Sequence, residues 1–282
     1  MPASATRSDM ATDGATGRVA GKRVLITGAA RGMGRSHAVR LAEQGADCIL
    51  VDICCTPTGL DYPLATEEDL NETVRLVEKH GSRAVPKIVD VRDEAAMKAA
   101  VDAAVDELGG LDGAVANAGV LTVGTWDTTT AEQWRLVLDV NLIGAWNTCA
   151  AALPHLIGGG GGSLVNISSS AGIKGTPLHL PYTASKHGIV GMTLALANEL
   201  AAQNIRVNTV HPTGVATGMA PPGMHALIAE QRPDLVPIFL NALPAPLIEA
   251  SDVSNAVLYL ISDESRYVTG LELKVDAGVT IR

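Results

Sequence analysis

Apolar positions along the chain alternate between two rhythms. Short β-branched runs are followed by longer stretches whose apolar residues fall three and four apart. Residues 23–27 form the first short run, a glycine-rich turn follows, and 36–44 has helical spacing. Residues 47–51 are apolar again and end on Asp52, so strand, turn, helix and strand make a βαβ unit. The alternation then predicts a helix over 67–80, with Leu70, Val74 and Val77 on one face, a strand over 84–89, a helix over 94–108 and a strand over 111–116. A long helical region over 131–156 and five glycines at 158–162 lead to a strand over 163–167. A helix over 182–203, a strand over 206–210, a helix over 252–261 and a strand over 271–275 complete the series. Seven strands alternating with helices predict an α/β fold: a single doubly wound Rossmann domain with a mostly parallel seven-stranded sheet. It spans residues 19–282, behind a small, polar, flexible tail at 1–18.

Two segments break the rhythm. Residues 54–66 are long for a connection between strand and helix, and Leu60, Tyr62, Pro63 and Leu64 give them an apolar side that ought to be buried. Residues 216–247 are Pro-rich, with a short helical stretch predicted around 225–231, and contain Met219, Met224, Leu227, Ile228, Phe239 and Leu243. Long loops on a rigid scaffold commonly carry binding groups and lids. The second segment has few charges to fix a carboxylate or phosphate, so it suits an apolar substrate; packing of a lid or an oligomer interface is the competing account.

Composition narrows the field. With 47% hydrophobic residues but 3% aromatic, the core must be aliphatic. A net charge of −9 argues against a nucleic-acid partner, which needs a basic surface. Four cysteines, Cys48, Cys54, Cys55 and Cys149, include no Cys-x-x-Cys pair, so neither a disulfide framework nor a metal site is expected. There is no run of 18 apolar residues and no apolar signal core near the N-terminus. The expectation is a cytoplasmic protein with no membrane span.

The turn TGAARGMG at 27–34 sits between the first strand and the first helix. Gly28, Gly32 and Gly34 permit a tight turn and close approach to a pyrophosphate, beside Arg31, Met33 and the free amides of the helix start. Asp52, next to Ile53, closes the second strand, where a carboxylate accepts both adenosine ribose hydroxyls of NAD and repels the 2′-phosphate of NADP. Arg31 pulls toward a phosphate, but no other basic residue follows Asp52 until Arg75. Asp90, beside Val91, is placed to meet the adenine amine or to cap the next helix. Asn117, Ala118 and Gly119 follow the fourth strand; the Asn117 amide can tie neighbouring strands together while Gly119 lets a cofactor approach.

Tyr182 and Lys186 are four apart at a helix start and share a face, and Ser169 ends the preceding strand. A nearby ammonium favours phenolate and helps a proton shuttle, and a serine hydroxyl can hold the substrate oxygen.

With these pieces together, the chain resembles the short-chain dehydrogenase/reductase family from residue 22 to 279, through TGAARGMG, NAG at 117–119, SS at 168–169 and YTASK at 182–186. The resemblance implies Tyr182 as acid/base, with Lys186 lowering its pKa and binding the nicotinamide ribose, and Ser169 orienting the reacting oxygen. It maps a fourth catalytic residue to Asn141 in DVNLIG at 139–144, whose backbone carbonyl holds a water that relays protons to Lys186. It also implies that Pro212, Thr213, Gly214 and Val215 line the nicotinamide, with Thr217 near its amide; His211, a lone histidine at a strand end with no carboxylate or cysteine partner, reads as structural and not as a base or metal ligand. VDIC at 51–54, YPLATEEDL at 62–70, RSHAVRLAEQGAD at 35–47 and HPTGVATGM at 211–219 look like the mycofactocin-coupled, carveol dehydrogenase-like branch. That branch implies tightly held NAD, the redox peptide mycofactocin as electron acceptor, a secondary alcohol or ketone of terpenoid or sterol type, and a homotetramer built partly through the long helices. An ordinary NAD-exchanging ketoreductase and a non-catalytic NAD-binding protein are the alternatives.

Overall fold

The β-branched runs pair into one parallel sheet in a computed structural model that describes residues 17–219, 228–230 and 232–282. Its strands are β1 (Arg23–Thr27), β2 (Asp47–Asp52), β3 (Ala84–Ile88), β4 (Gly113–Ala116), β5 (Gly162–Ile167), β6 (Ile205–Pro212) and β7 (Glu272–Val275), in the order β3-β2-β1-β4-β5-β6-β7. Every neighbouring pair is parallel. The order reverses between β1 and β4, and the crevice beyond the carboxyl ends of those strands is where such sheets bind ligands. Pro86 is tolerated in β3 because that strand is at the edge.

Helices α1 (Gly32–Ala42), α2 (Glu67–Glu78) and α7 (Ala250–Ile261) cover one face, and α3 (Glu94–Leu108), α4 (Ala131–Leu138), α5 (Gly144–Gly158) and α6 (Leu180–Leu200) cover the other. Leu41, Leu70, Val77, Val253 and Val257 pack with Ile26 and Leu50 on the first face. Met97, Val101, Leu136, Cys149 and Leu200 pack with Leu25 and Ile49 on the second. The aliphatic core expected from the composition is therefore split by the sheet into two layers.

Three differences from the sequence reading have physical reasons. The first helix begins at Gly32, not residue 36, because the glycines that weaken helix propensity are nevertheless held in its first turn. The region over 131–156 is helical through Gly158 but contains a π-turn, Asp139–Ile143, between α4 and α5. That 28-residue stretch has a window of mean hydropathy 1.4, long and apolar enough by composition to cross a membrane, but 61% of the window is buried inside the fold. Strand β6 runs on through His211 and Pro212, beyond the predicted end, because Pro212 pairs in register with Val275 and the Thr213 N–H that follows donates to the Val275 carbonyl at 3.3 Å. Of the stretch predicted helical around 225–231, residues 228–230 are helical; the rest, and residues 1–16 of the tail expected at 1–18, lie outside the described residues.

Candidate active site

The crevice is built around the turn from β1 to α1. Gly28 has φ of 67°, and a Cβ there would sit 2.9 Å from the Ala118 Cα; a Cβ on Gly34 would come within 1.9 Å of the Gly28 carbonyl oxygen. Only bare backbone fits at both positions. Helix α1 has no side-chain cap and no acidic residue in its first turn. Its leading N–H groups are thus left for an anion. Asn117 donates from Nδ2 to the carbonyls of Thr27 (3.0 Å) and Gly28 (3.3 Å), tying the end of β4 to the turn.

Asp52 is 8% exposed and lines this crevice with Ile53, Asp90, Val91, Ala118 and Gly119. Its carboxylate accepts the N–H groups of Ala30 (2.9 Å) and Cys54 (3.2 Å), which fixes it at the end of β2. Asp90 also lines the crevice, but its carboxylate is engaged by the guanidinium of Arg92 at 2.9 Å. The cap of α3 is Asp93, whose side chain accepts the Ala96 N–H. Arg31 turns from any phosphate toward backbone: its guanidinium donates to the carbonyls of Pro63 (2.8 Å) and Gly218 (3.3 Å). The crevice accordingly has one carboxylate and a committed arginine at the ribose end, an arrangement that fits NAD better than NADP.

The segment over 54–66 is not a plain surface loop. Tyr62 is 5% exposed, and its hydroxyl accepts the Leu121 N–H at 2.9 Å. Thr66 and Asp69 then form a reciprocal cap that starts α2. Tyr62 could be read in the sequence as a residue to be buried, but its partner across the crevice could not.

Beyond the crevice Ser169, Tyr182 and Lys186 come together. Ser169 follows β5, and its Oγ accepts the Ala171 N–H at 3.1 Å. Its carbonyl is bonded to His211 Nδ1 at 2.9 Å, while His211 Nε2 meets the Thr209 hydroxyl at 2.7 Å, so His211 is structural here. Tyr182 and Lys186 project from the first turns of α6, with the Lys186 ammonium 5.4 Å from the Tyr182 ring centre. Lys186 Nζ donates to the Ile167 carbonyl at 2.8 Å. Burial pushes the Lys186 pKa down to about 7. Burial pushes the Tyr182 phenol up to about 12, against the opposing hydrogen bond from Ser169. Burial therefore outweighs any lowering of Tyr182 in the cofactor-free protein.

Asn141, fully buried, lies in the π-turn. Its Oδ1 accepts the Val120 N–H (2.8 Å), and its Nδ2 donates to the Val120 carbonyl (3.0 Å) and the Ser185 hydroxyl (3.1 Å). The side chain thus fixes the chain after β4 against α6, while the wide turn disturbs regular carbonyl pairing.

A second pocket opens from the crevice past Met33, Thr217 and Met219, which line both. Ser169, Tyr182, Pro212, Thr213, Gly214 and Val215 line it, with apolar Leu121, Phe239, Leu247 and Val279. Leu243 is 63% exposed and lies outside it. Ile228 is buried but is not part of its lining, and Met224 and Leu227 lie outside the described residues. Among the described residues there is no group of three metal-binding side chains, and the four cysteines are free.

Fold and site together define a dinucleotide-type crevice that opens into an apolar pocket lined by Ser169 and Tyr182, with Lys186 beside the Tyr182 ring. Residues 28–280 match the family described as Enoyl-(Acyl carrier protein) reductase. The (-)-trans-carveol dehydrogenase of Rhodococcus erythropolis is 44% identical over 275 residues, covering 94% of this chain and 99% of that protein. The crystal structure of carveol dehydrogenase from Mycobacterium avium in complex with NAD superposes with a TM-score of 0.89 at 48% identity, covering 95% of this chain and 100% of that one. A short chain dehydrogenase from Mycobacterium paratuberculosis bound to NAD gives 0.91 at 45% identity, covering 94% and 100%. The chain belongs to the short-chain dehydrogenase/reductase family of oxidoreductases.

Proposed function

We propose that the protein is an NAD-dependent oxidoreductase that interconverts a secondary alcohol and a ketone on an apolar, terpenoid- or sterol-like substrate. The observation that carries this reading is the position of Ser169 and Tyr182 in a pocket walled by Leu121, Phe239, Leu247 and Val279, with buried Lys186 beside the Tyr182 ring. Bound NAD would supply the hydride acceptor. The glycine turn and the α1 amides hold its pyrophosphate, Asp52 its adenosine ribose, and Lys186 its nicotinamide ribose. The Ser169 hydroxyl holds the substrate oxygen. Tyr182 takes the hydroxyl proton in oxidation and returns it in reduction, and Lys186 and Asn141 connect that proton to water. The apolar wall excludes water and orients the carbinol carbon.

In this reading residues 54–66 cover the adenosine half of the cofactor and slow its release, so that mycofactocin reoxidises it in place. Supporting this are the buried Tyr62 and the Arg31 contacts across the crevice. The exposed Ile143 and Trp146 near the start of α5, and Leu194 on α6, suit a homotetramer built through those helices. Free cysteines accord with a reducing cytoplasm.

The test is to identify any cofactor carried through purification by mass spectrometry, then to assay secondary alcohols such as carveol with a redox dye as acceptor. Co-purified NAD(H) and dye-dependent turnover support the reading. Rapid turnover with free NAD and no dye would favour an ordinary ketoreductase. Bound NAD with no turnover of any alcohol would favour a non-catalytic binding protein.

A further inference from the structure

Lys174 lies in the chain just after Ser169 and lines the substrate pocket. Its ammonium donates to the carbonyl of Ile238 at 2.9 Å and to that of Val279 at 2.8 Å. The two acceptors come from separate segments: the 3-10 turn Pro233–Phe239 and the C-terminal turn Val279–Ile281. Both Ile238 and Val279 line the same pocket. The sheet does not hold either segment. Pro233 and Pro237 have no N–H to donate, and the chain beyond them is tied by the Ala242 and Leu243 N–H groups to the Ala277 carbonyl. A lysine supplies three donors on a flexible stem, so one side chain can fasten two strands of irregular backbone at once. The fastened wall touches the chemistry through rings: Phe239 packs edge-on against His179 at 5.7 Å, and His179 against Tyr182 at 6.5 Å.

We propose that Lys174 is a positioning residue that fixes the outer wall of the substrate pocket and thereby sets the size of alcohol the enzyme accepts. It acts through Ile238, Phe239 and Val279 and not on the reacting atoms. The specificity part rests on the alcohol–ketone reading above; the wall itself does not.

Two measurements test it, using Lys174→Met, which keeps the stem and loses the donors, and Lys174→Arg, which keeps donors. In hydrogen–deuterium exchange on the protein as purified, peptides covering 233–240 and 279–282 should exchange several-fold faster in the methionine variant and return toward wild type in the arginine variant. Unchanged exchange overturns the proposal. In steady-state assays, the ratio of kcat/KM for a hydroxysteroid to that for carveol should shift by about tenfold, the scale on which a pocket discriminates by size. A loss by the same factor for both overturns the specificity role. If the wild type oxidises neither alcohol, the functional reading fails while the exchange experiment still decides the wall. Lys174→Gln, with one amide donor pair, replaces the methionine variant in both assays should that variant fail to fold.

Discussion

The guanidinium of Arg31 donates to the Pro63 carbonyl at 2.8 Å and reaches the Gly218 carbonyl at 3.3 Å. One side chain thereby joins the glycine turn, the segment over 54–66 and the start of the substrate loop, all of which line the crevice. Replacing 54–66 by a short link would also remove buried Tyr62 and Ala65, so it would disturb more than a cover. Arg31→Met is the cleaner change. Charge-assisted hydrogen bonds contribute about 1.5–3 kcal/mol each when well shielded; these are more exposed, so NADH release should quicken by roughly threefold to tenfold. Stopped-flow release in both forms measures it, and equal rates would leave the segment a structural loop.

Asp52 predicts cofactor choice. Its carboxylate is fixed by two backbone N–H groups at the end of β2. NADH should bind at least about tenfold tighter than NADPH, since a 2′-phosphate would be placed against a fixed negative charge. Asp52→Asn should narrow that gap. Fluorescence titration with both cofactors checks it; equal affinities in the wild type would refute the assignment.

Tyr182→Phe should lower kcat by about 10²–10⁴-fold, the usual contribution of a positioned proton-transfer group, with little change in NADH affinity. The ring stays beside Lys186 while the hydroxyl is lost. Lys186→Ala should instead weaken cofactor binding as well. Near wild-type turnover by the phenylalanine variant would remove Tyr182 from the chemistry.

The two shifted groups of the acid–base centre set a stability profile for the cofactor-free protein. Burial lowers Lys186 from 10.5 to about 7. Between those values the unfolded chain keeps a proton that the folded protein has released, so stability rises with pH across that window. Burial raises Tyr182 from 10 to about 12, so above pH 10 the unfolded chain loses its proton first and stability falls. Lys186→Met removes the first effect. Its Tm advantage over wild type should be largest at pH 7 and below and shrink toward pH 10. Thermal melts at several pH values measure this; a constant difference would contradict the buried ammonium.

The sheet and most helices were legible because their signals are local. Arg23–Thr27 is a continuous apolar run between polar ends, and Leu70 and Val77 fall on one helical face. The pairing of Ser169, Tyr182 and Lys186 was legible too, since a strand end and a helix start bring them near one another in this fold. What escaped depends on contacts distant in sequence. Tyr62 meets Leu121, Arg31 meets Pro63 and Lys174 meets Ile238 and Val279, and neither partner in these pairs marks the other. In each case one partner is a backbone atom, which carries no residue-type signature. The π-turn was hidden for another reason: apolar residues continue across 131–158 with helix-like spacing, so an extra residue per turn leaves little trace in the pattern.

That turn has a consequence for anyone who would tidy the chain. An α-helix advances about 100° per residue. The wider turn Asp139–Ile143 takes up one residue more than an α-turn would, so α5 leaves it in the phase it would have without that residue, with Cys149 buried and Trp146 half-exposed. The surplus residue is thereby confined to one turn and does not rotate the helix that follows. Smoothing it away would leave α5 facing as before and remove the local bulge that holds Asn141 against Val120 and Ser185.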